Sequence, residues 1–127
     1  MKTVLFVDDE PTVLRSLARL FRTTGYEVLT AASAFEALEI LAEQPVSVVV
    51  SDHRMPGMVG TELLALVAAR YPTCGRILLT GDMGALENEA AALAVAHVML
   101  RKPSSPQELR ETIERVMPPD VEDVRLA

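Results

Sequence analysis

The chain has 127 residues, half of them apolar, which suits one compact domain with a radius of gyration of roughly 14 Å. Its formal net charge of −6 argues against direct contact with nucleic acid, because phosphate contacts need clustered Lys and Arg. One cysteine, Cys74, excludes an internal disulfide and suits a reducing compartment, and the apolar run after Met1 is stopped by Asp8-Asp9-Glu10 too early for a signal core or a membrane span, so the expectation is a cytoplasmic protein.

Aromatic residues are few, with no Trp, so the core has to be built from aliphatic side chains. The first apolar run, Thr3–Val7, is nearly continuous, as in strands covered on both faces. A helical stretch follows: Pro11 suits its opening position, Leu14, Leu17, Ala18 and Phe21 form one stripe, and Gly25 ends it. A second run, Glu27–Ala31, leads to a helix opened by Ser33 and Glu36 at capping-box spacing and followed by Pro45. The third run, Val46–Ser51, precedes a helix from about Gly60 to Tyr71, which meets Pro72. The fourth, Arg76–Thr80, precedes an Ala-rich helix near Gly84–Ala94. The fifth, His97–Leu100, precedes a helix that begins Ser105-Pro106-Gln107-Glu108, another capping box, and that aligns Leu109, Ile113, Val116 and Met117. Pro118-Pro119 stop that helix, which leaves an acidic tail.

Strict strand–helix alternation implies a parallel sheet with right-handed crossovers and helices on both faces. Five strands in this pattern predict an α/β, doubly wound, flavodoxin-like (βα)5 fold with strand order 2-1-3-4-5. Residues 1–117 are expected to form the domain, and residues 118–127 a tail or the start of a linker.

In open α/β sheets, ligands bind beyond the carboxyl ends of the strands. Strand one delivers Asp8, Asp9 and Glu10 there, strand three Asp52, strand four Thr80, and strand five Lys102 by way of Arg101. Each alone has an ordinary explanation as a cap, a loop residue or a strand end. Together they place three carboxylates side by side, where two unit charges about 4 Å apart repel by roughly 4 kcal/mol at an effective dielectric of 20. Protonation, Lys102 or a hard divalent cation such as Mg2+ has to relieve that repulsion. A carboxylate nucleophile that forms an acyl phosphate, with Thr80 and Lys102 on the phosphoryl oxygens, fits this set.

The segments LFVDDEP at Leu5–Pro11, VVVSDHRMPGMVGTELL at Val48–Leu64, RILLTGD at Arg76–Asp82 and LRKP at Leu100–Pro103 resemble, in order and spacing, the receiver domains of two-component response regulators. The resemblance implies a signalling phosphoacceptor, not a metabolic enzyme. Asp52 would take a phosphoryl group from a histidine kinase or a histidine phosphotransfer protein. Asp8, Asp9, Asp52 and the backbone carbonyl of Arg54 would hold Mg2+ (or Mn2+). Thr80 and Lys102 would contact the phosphoryl group, and the Lys102–Pro103 bond would be cis. A downstream effector protein or domain would read the change, and a homodimer through the helix four–strand five–helix five face is left open.

Three departures from the family pattern stand out. Met99 occupies the position of an aromatic switch residue. Ala94-Val95-Ala96 lacks the glycine that commonly ends helix four, so that helix is expected to end differently or irregularly. Arg54 and Asp82, each two residues beyond a site residue, match positions that tune dephosphorylation, and an ion pair between them would hinder attacking water. His53 and His97 lack a second ligand at metal spacing, and Met55, Met58 and Met83 read as loop packing. Two rival readings remain: a small-molecule aspartyl-phosphate phosphatase, which should have a cap segment, and a phosphorylation-independent interaction module, for which Met99 is the hint.

Overall fold

The structure, a computed structural model, describes residues 2–81 and 89–119. Its elements, in chain order, are β1 (Thr3–Val7), α1 (Pro11–Phe21), β2 (Glu27–Ala31), α2 (Ala34–Glu43), β3 (Val48–Asp52), α3 (Gly60–Arg70), β4 (Gly75–Thr80), α4 (Glu89–Val95), β5 (Val98–Arg101) and α5 (Pro106–Val116). All strand pairs are parallel and their order is β2-β1-β3-β4-β5, the flavodoxin-like arrangement that the alternating pattern predicts. Strands three and five lie slightly further along the chain than the apolar runs suggest, and β4 begins at Gly75. Among the described residues, no helix is long and apolar enough to cross a membrane.

The sheet divides the apolar residues into two cores. On one face Leu5, Val7, Val49 and Leu78 pack with Ala34, Ala37 and Leu41 of α2, Leu63, Leu64 and Val67 of α3, and Ala92 and Ala96 from the α4 region. On the other, Val4, Phe6, Val50 and Ile77 pack with Leu14 and Phe21 of α1 and Leu109 and Ile113 of α5. Central β1 is buried along its whole length, whereas edge strands β2 and β5 are half-exposed over most of theirs. The continuous apolar runs therefore mark central strands covered on both sides.

Local chemistry sets most of the helix ends. Pro11 and Pro106 stand in the first turns of α1 and α5. Ser33 Oγ accepts from Glu36 N and Ser105 Oγ from Glu108 N, which satisfies first-turn donors of α2 and α5. The α2 box differs from the expected one in its return bond: Glu36 Oε2 accepts from Ala32 N, not from the Ser33 N–H. Gly25 has φ +90, the left-handed conformation that lets the chain turn into β2. The expected start of helix four at Gly84 lies outside the described residues. Its carboxyl end carries no left-handed residue, since among the described residues those with positive φ are Gly25 and Gly57.

Candidate functional site

Because β1, β3 and β4 run parallel and in register, with Phe6 beside Val50 and Val50 beside Ile77, their carboxyl ends meet at one edge of the sheet. Asp8 follows β1, Asp52 ends β3 and Thr80 ends β4. Lys102 is drawn in by its backbone N–H, which donates to Thr80 O at 2.8 Å, and the Lys102–Pro103 peptide bond is cis. Asp9, Glu10, Asp52, Arg54, Thr80, Gly81 and Lys102 line a cavity of about 440 Å3.

Asp8, Asp9 and Asp52 each offer a carboxylate oxygen within 4.8 Å of the others. Asp8 is 3 % exposed, and burial raises its carboxyl above the ordinary value, helped by the neighbouring Asp52 charge. The Glu10 N–H, which donates to Asp8 Oδ1 at 2.9 Å, and the Lys102 ammonium oppose that rise. Lys102 Nζ lies 2.9 Å from Asp52 Oδ1 and 3.5 Å from Asp8 Oδ2. Burial disfavours the ammonium, but the Asp52 hydrogen bond and the charges of Asp52 and Asp8 outweigh it and raise its pKa. Lys102 thus pairs with two of three clustered acids, which outnumber it. All the ligand atoms are hard oxygens, the donor set that suits Mg2+ or Mn2+.

The residues flanking the site are also placed. Arg54 is exposed at the cavity mouth; its expected partner Asp82 lies outside the described residues, as does Met83. Met55 is buried in the α2–α3–α4 core, and Met58 and Met99 pack against the same core. Met99 pairs with Leu78 across the β4–β5 ladder. His53 leaves its Nδ1 buried without a hydrogen-bond partner.

Glu10, which the sequence reading brought to this edge with Asp8 and Asp9, lines the cavity. One feature of the site was not legible in the sequence reading. Gly60 allows the β3–α3 loop to close: a Cβ there would stand 2.4 Å from Asp52 O and 2.9 Å from His53 Cα, while Gly60 N donates to His53 O at 2.8 Å. A glycine at the first position of a helix was the available signal.

Known proteins resemble the chain in sequence and fold. The profile of the response regulator receiver domain matches residues 4–114. The hydrogenase transcriptional regulatory protein HoxA of Cupriavidus necator is 41% identical over 122 residues, covering 91% of this chain and 24% of that protein, so the chain spans about a quarter of that relative's length. A CheY-like receiver domain protein from Methanospirillum hungatei superposes with a TM-score of 0.85 at 34% identity, covering 91% of this chain and 92% of that one. The response regulator TrrA from Thermotoga maritima, solved in complex with Mg(2+)-BeF, superposes at 0.83 with 28% identity, covering 92% of this chain and 100% of that one. The chain belongs to the response regulator receiver domains of two-component systems, and its Asp8–Asp9–Asp52 pocket fits their phosphoacceptor site.

Proposed function

We propose that Asp52 accepts a phosphoryl group from the phosphohistidine of a histidine kinase or histidine phosphotransfer protein, with Mg2+ or Mn2+ held by Asp8, Asp9, Asp52 and the Arg54 backbone carbonyl. The observation that carries this reading is the position of Lys102, 2.9 Å from Asp52 and 3.5 Å from Asp8 at the edge of the three-acid cluster. A carboxylate oxygen of Asp52 attacks phosphorus. The phosphorus–nitrogen bond to the donor imidazole breaks, its electron pair stays on that nitrogen, and an acyl phosphate forms. The metal, when bound, neutralises charge on the transferring oxygens. Asp8 and Asp9 hold it, Lys102 pairs with the phosphoryl oxygens, and Thr80 donates its hydroxyl to them. The buried Asp8 carboxyl supports this assignment, because a divalent ion would offset the cost of ionising it.

The new group brings about −1.5 to −2 charges to the ends of β3 and β4, which biases the adjoining loop and α4 between two arrangements. The chain acts in this reading as a cytoplasmic signalling module and not as a metabolic enzyme. Residues 1–117 form the receiver, and residues 118–127 are its tail or the start of a linker. The α4–β5–α5 face, where Leu93 is exposed, receives an effector or a second copy. Arg54 and Asp82 would pair over the site and slow hydrolysis; equal phosphorylated lifetimes in wild type and the Arg54→Ala, Asp82→Ala double variant would overturn that role.

Incubation with acetyl phosphate and Mg2+, followed by intact mass, tests the central reading. The expected result is a metal-dependent gain of one phosphoryl group that Asp52→Asn abolishes. No gain from acetyl phosphate, a small phosphoramidate or a phosphohistidine donor would overturn it and favour the phosphorylation-independent interaction module.

A further inference from the structure

At the amino end of the sheet, away from the acidic cluster, Arg76 and His97 form a second polar assembly. Arg76 lies four residues before Thr80 on β4, roughly 13 Å along the strand at about 3.3 Å per residue. Its Nε donates to Val95 O, the last residue of α4, at 2.7 Å. Its Nη1 donates to Cys74 O at 3.0 Å and to Pro72 O at 3.3 Å, in the loop that leaves α3. One guanidinium thereby ties the carboxyl end of α4 to the exit of α3. A cation is favoured at such helix ends, where carbonyls point outward unpaired. It does the work that a left-handed glycine commonly does, at an end where the chain reads Ala94-Val95-Ala96 and no residue has positive φ.

The His97 ring completes the assembly. Its Nδ1 accepts from the backbone N–H of Arg76 at 3.0 Å, and His97 N donates to Arg76 O at 2.9 Å. Accepting at Nδ1 puts the proton of the neutral ring on Nε2. Nε2 lies 3.4 Å from Arg76 Nη2, so there a donor faces a donor. A second proton, on Nδ1, would oppose the Arg76 N–H and set two cations side by side. We propose that Arg76 and His97 form an acid-sensitive clasp on the carboxyl end of α4, so that proton uptake by His97 loosens that end of the helix without touching the phosphoryl chemistry.

Burial and then the Arg76 charge both hold the His97 pKa below its ordinary 6.5. The Cys74 thiol, whose neighbouring carbonyl the clasp uses, is pushed up to about 11 by burial and stays neutral throughout the relevant range. Among the described residues no carboxylate contributes to the shift of the ring. The folded protein therefore binds the His97 proton more weakly than the unfolded chain. The clasp is at full strength above pH 6.5 and weakens as pH falls through the lowered value. Arg76 acts as a positioning residue, through α4.

Amide hydrogen exchange across α4, corrected for intrinsic rates and read against α2 and α5 in the same protein, tests the clasp. The comparison uses pH 7.5 and pH 5 with wild type, His97→Asn and Arg76→Met. Asn can accept the Arg76 N–H through its side-chain oxygen but cannot take up a proton. Wild type should lose about tenfold protection in α4 between the two pH values, His97→Asn should keep it, and Arg76→Met should lack it at both, with Arg76→Lys restoring part. The same pH-dependent loss in His97→Asn, or wild-type α4 protection in Arg76→Met, would overturn the proposal. The His97→Asn comparison stands even if the Arg76 variants fold poorly, and acetyl phosphate labelling of Arg76→Met reads separately whether the site is intact.

Discussion

Each end of the parallel sheet holds a cation among acceptors, and the two sets differ in the charge of those acceptors. At the carboxyl end Lys102 pairs with Asp8 and Asp52 of a three-carboxylate cluster, and the acids outnumber it. At the amino end Arg76 gives its Nε and Nη1 donors to the neutral carbonyls of Pro72, Cys74 and Val95. Carboxylates in excess of their cation suit a divalent ion, whereas neutral carbonyls around a cation serve to hold elements together or release them. A cation inside a fold thus signals a reactive site when its partners carry more charge than it cancels, and a structural one when they are neutral.

Substitution of the two cations should separate the ends most strongly. Lys102→Ala removes the group proposed to pair with the phosphoryl oxygens and should slow labelling by acetyl phosphate by about 100-fold, roughly 2.7 kcal/mol in the barrier. Arg76→Met should label at nearly the wild-type rate. Equal slowing in both, measured by intact mass over time, would dissolve the distinction.

The two close-approach glycines sharpen it next. A Cβ on Gly60 would meet Asp52 O at 2.4 Å, and one on Gly75 would meet Val116 O at 2.6 Å. Backbone cannot yield as a side-chain tip can, so Gly60→Ala and Gly75→Ala should each cost about 2–4 kcal/mol in urea unfolding. Only Gly60→Ala should also impair labelling of the folded fraction, because it displaces the phosphoacceptor strand.

A smaller effect concerns Asp8. Its carboxyl is raised above 3.8, so the folded state binds that proton more tightly than the unfolded chain does. The stability so contributed is complete below pH 3.8 and lost as pH rises through the folded value. At pH 7 without metal, Asp8→Asn should therefore raise Tm by a few degrees, about 1 kcal/mol for a domain of this size. Mg2+ should raise the Tm of wild type more than that of Asp8→Asn. A fall in Tm on substitution would show that the Lys102 pairing outweighs the burial cost.

The smallest change expected is at Gly25, remote from either cluster. A Cβ there meets nothing within 4 Å, but φ is +90. Gly25→Ala should cost about 1 kcal/mol through backbone strain alone and leave both labelling and α4 exchange unchanged.

Length, apolar runs and helix punctuation were sufficient for the fold class and strand order, because central parallel strands have to be apolar on both faces and helix starts need side-chain acceptors such as Ser33 and Ser105. The order of Asp8, Asp9, Asp52, Thr80 and Lys102 along the chain likewise sufficed to gather them, since every parallel strand ends at the same edge. What the chain order could not convey is which atoms approach across that edge. Lys102 meets Asp52 more closely than Asp8 because the loop after β5 is pinned to Thr80 O. Gly60 is needed because a loop eight positions after Asp52 returns to its carbonyl. Arg76 and His97, 21 positions apart, read separately as a strand residue and a bland histidine. Their joint role at the end of α4 exists only because β4 and β5 are neighbours in register. Periodicity and chain order are local properties and survive in the sequence, whereas a hydrogen bond between distant residues depends on the packing that brings them together.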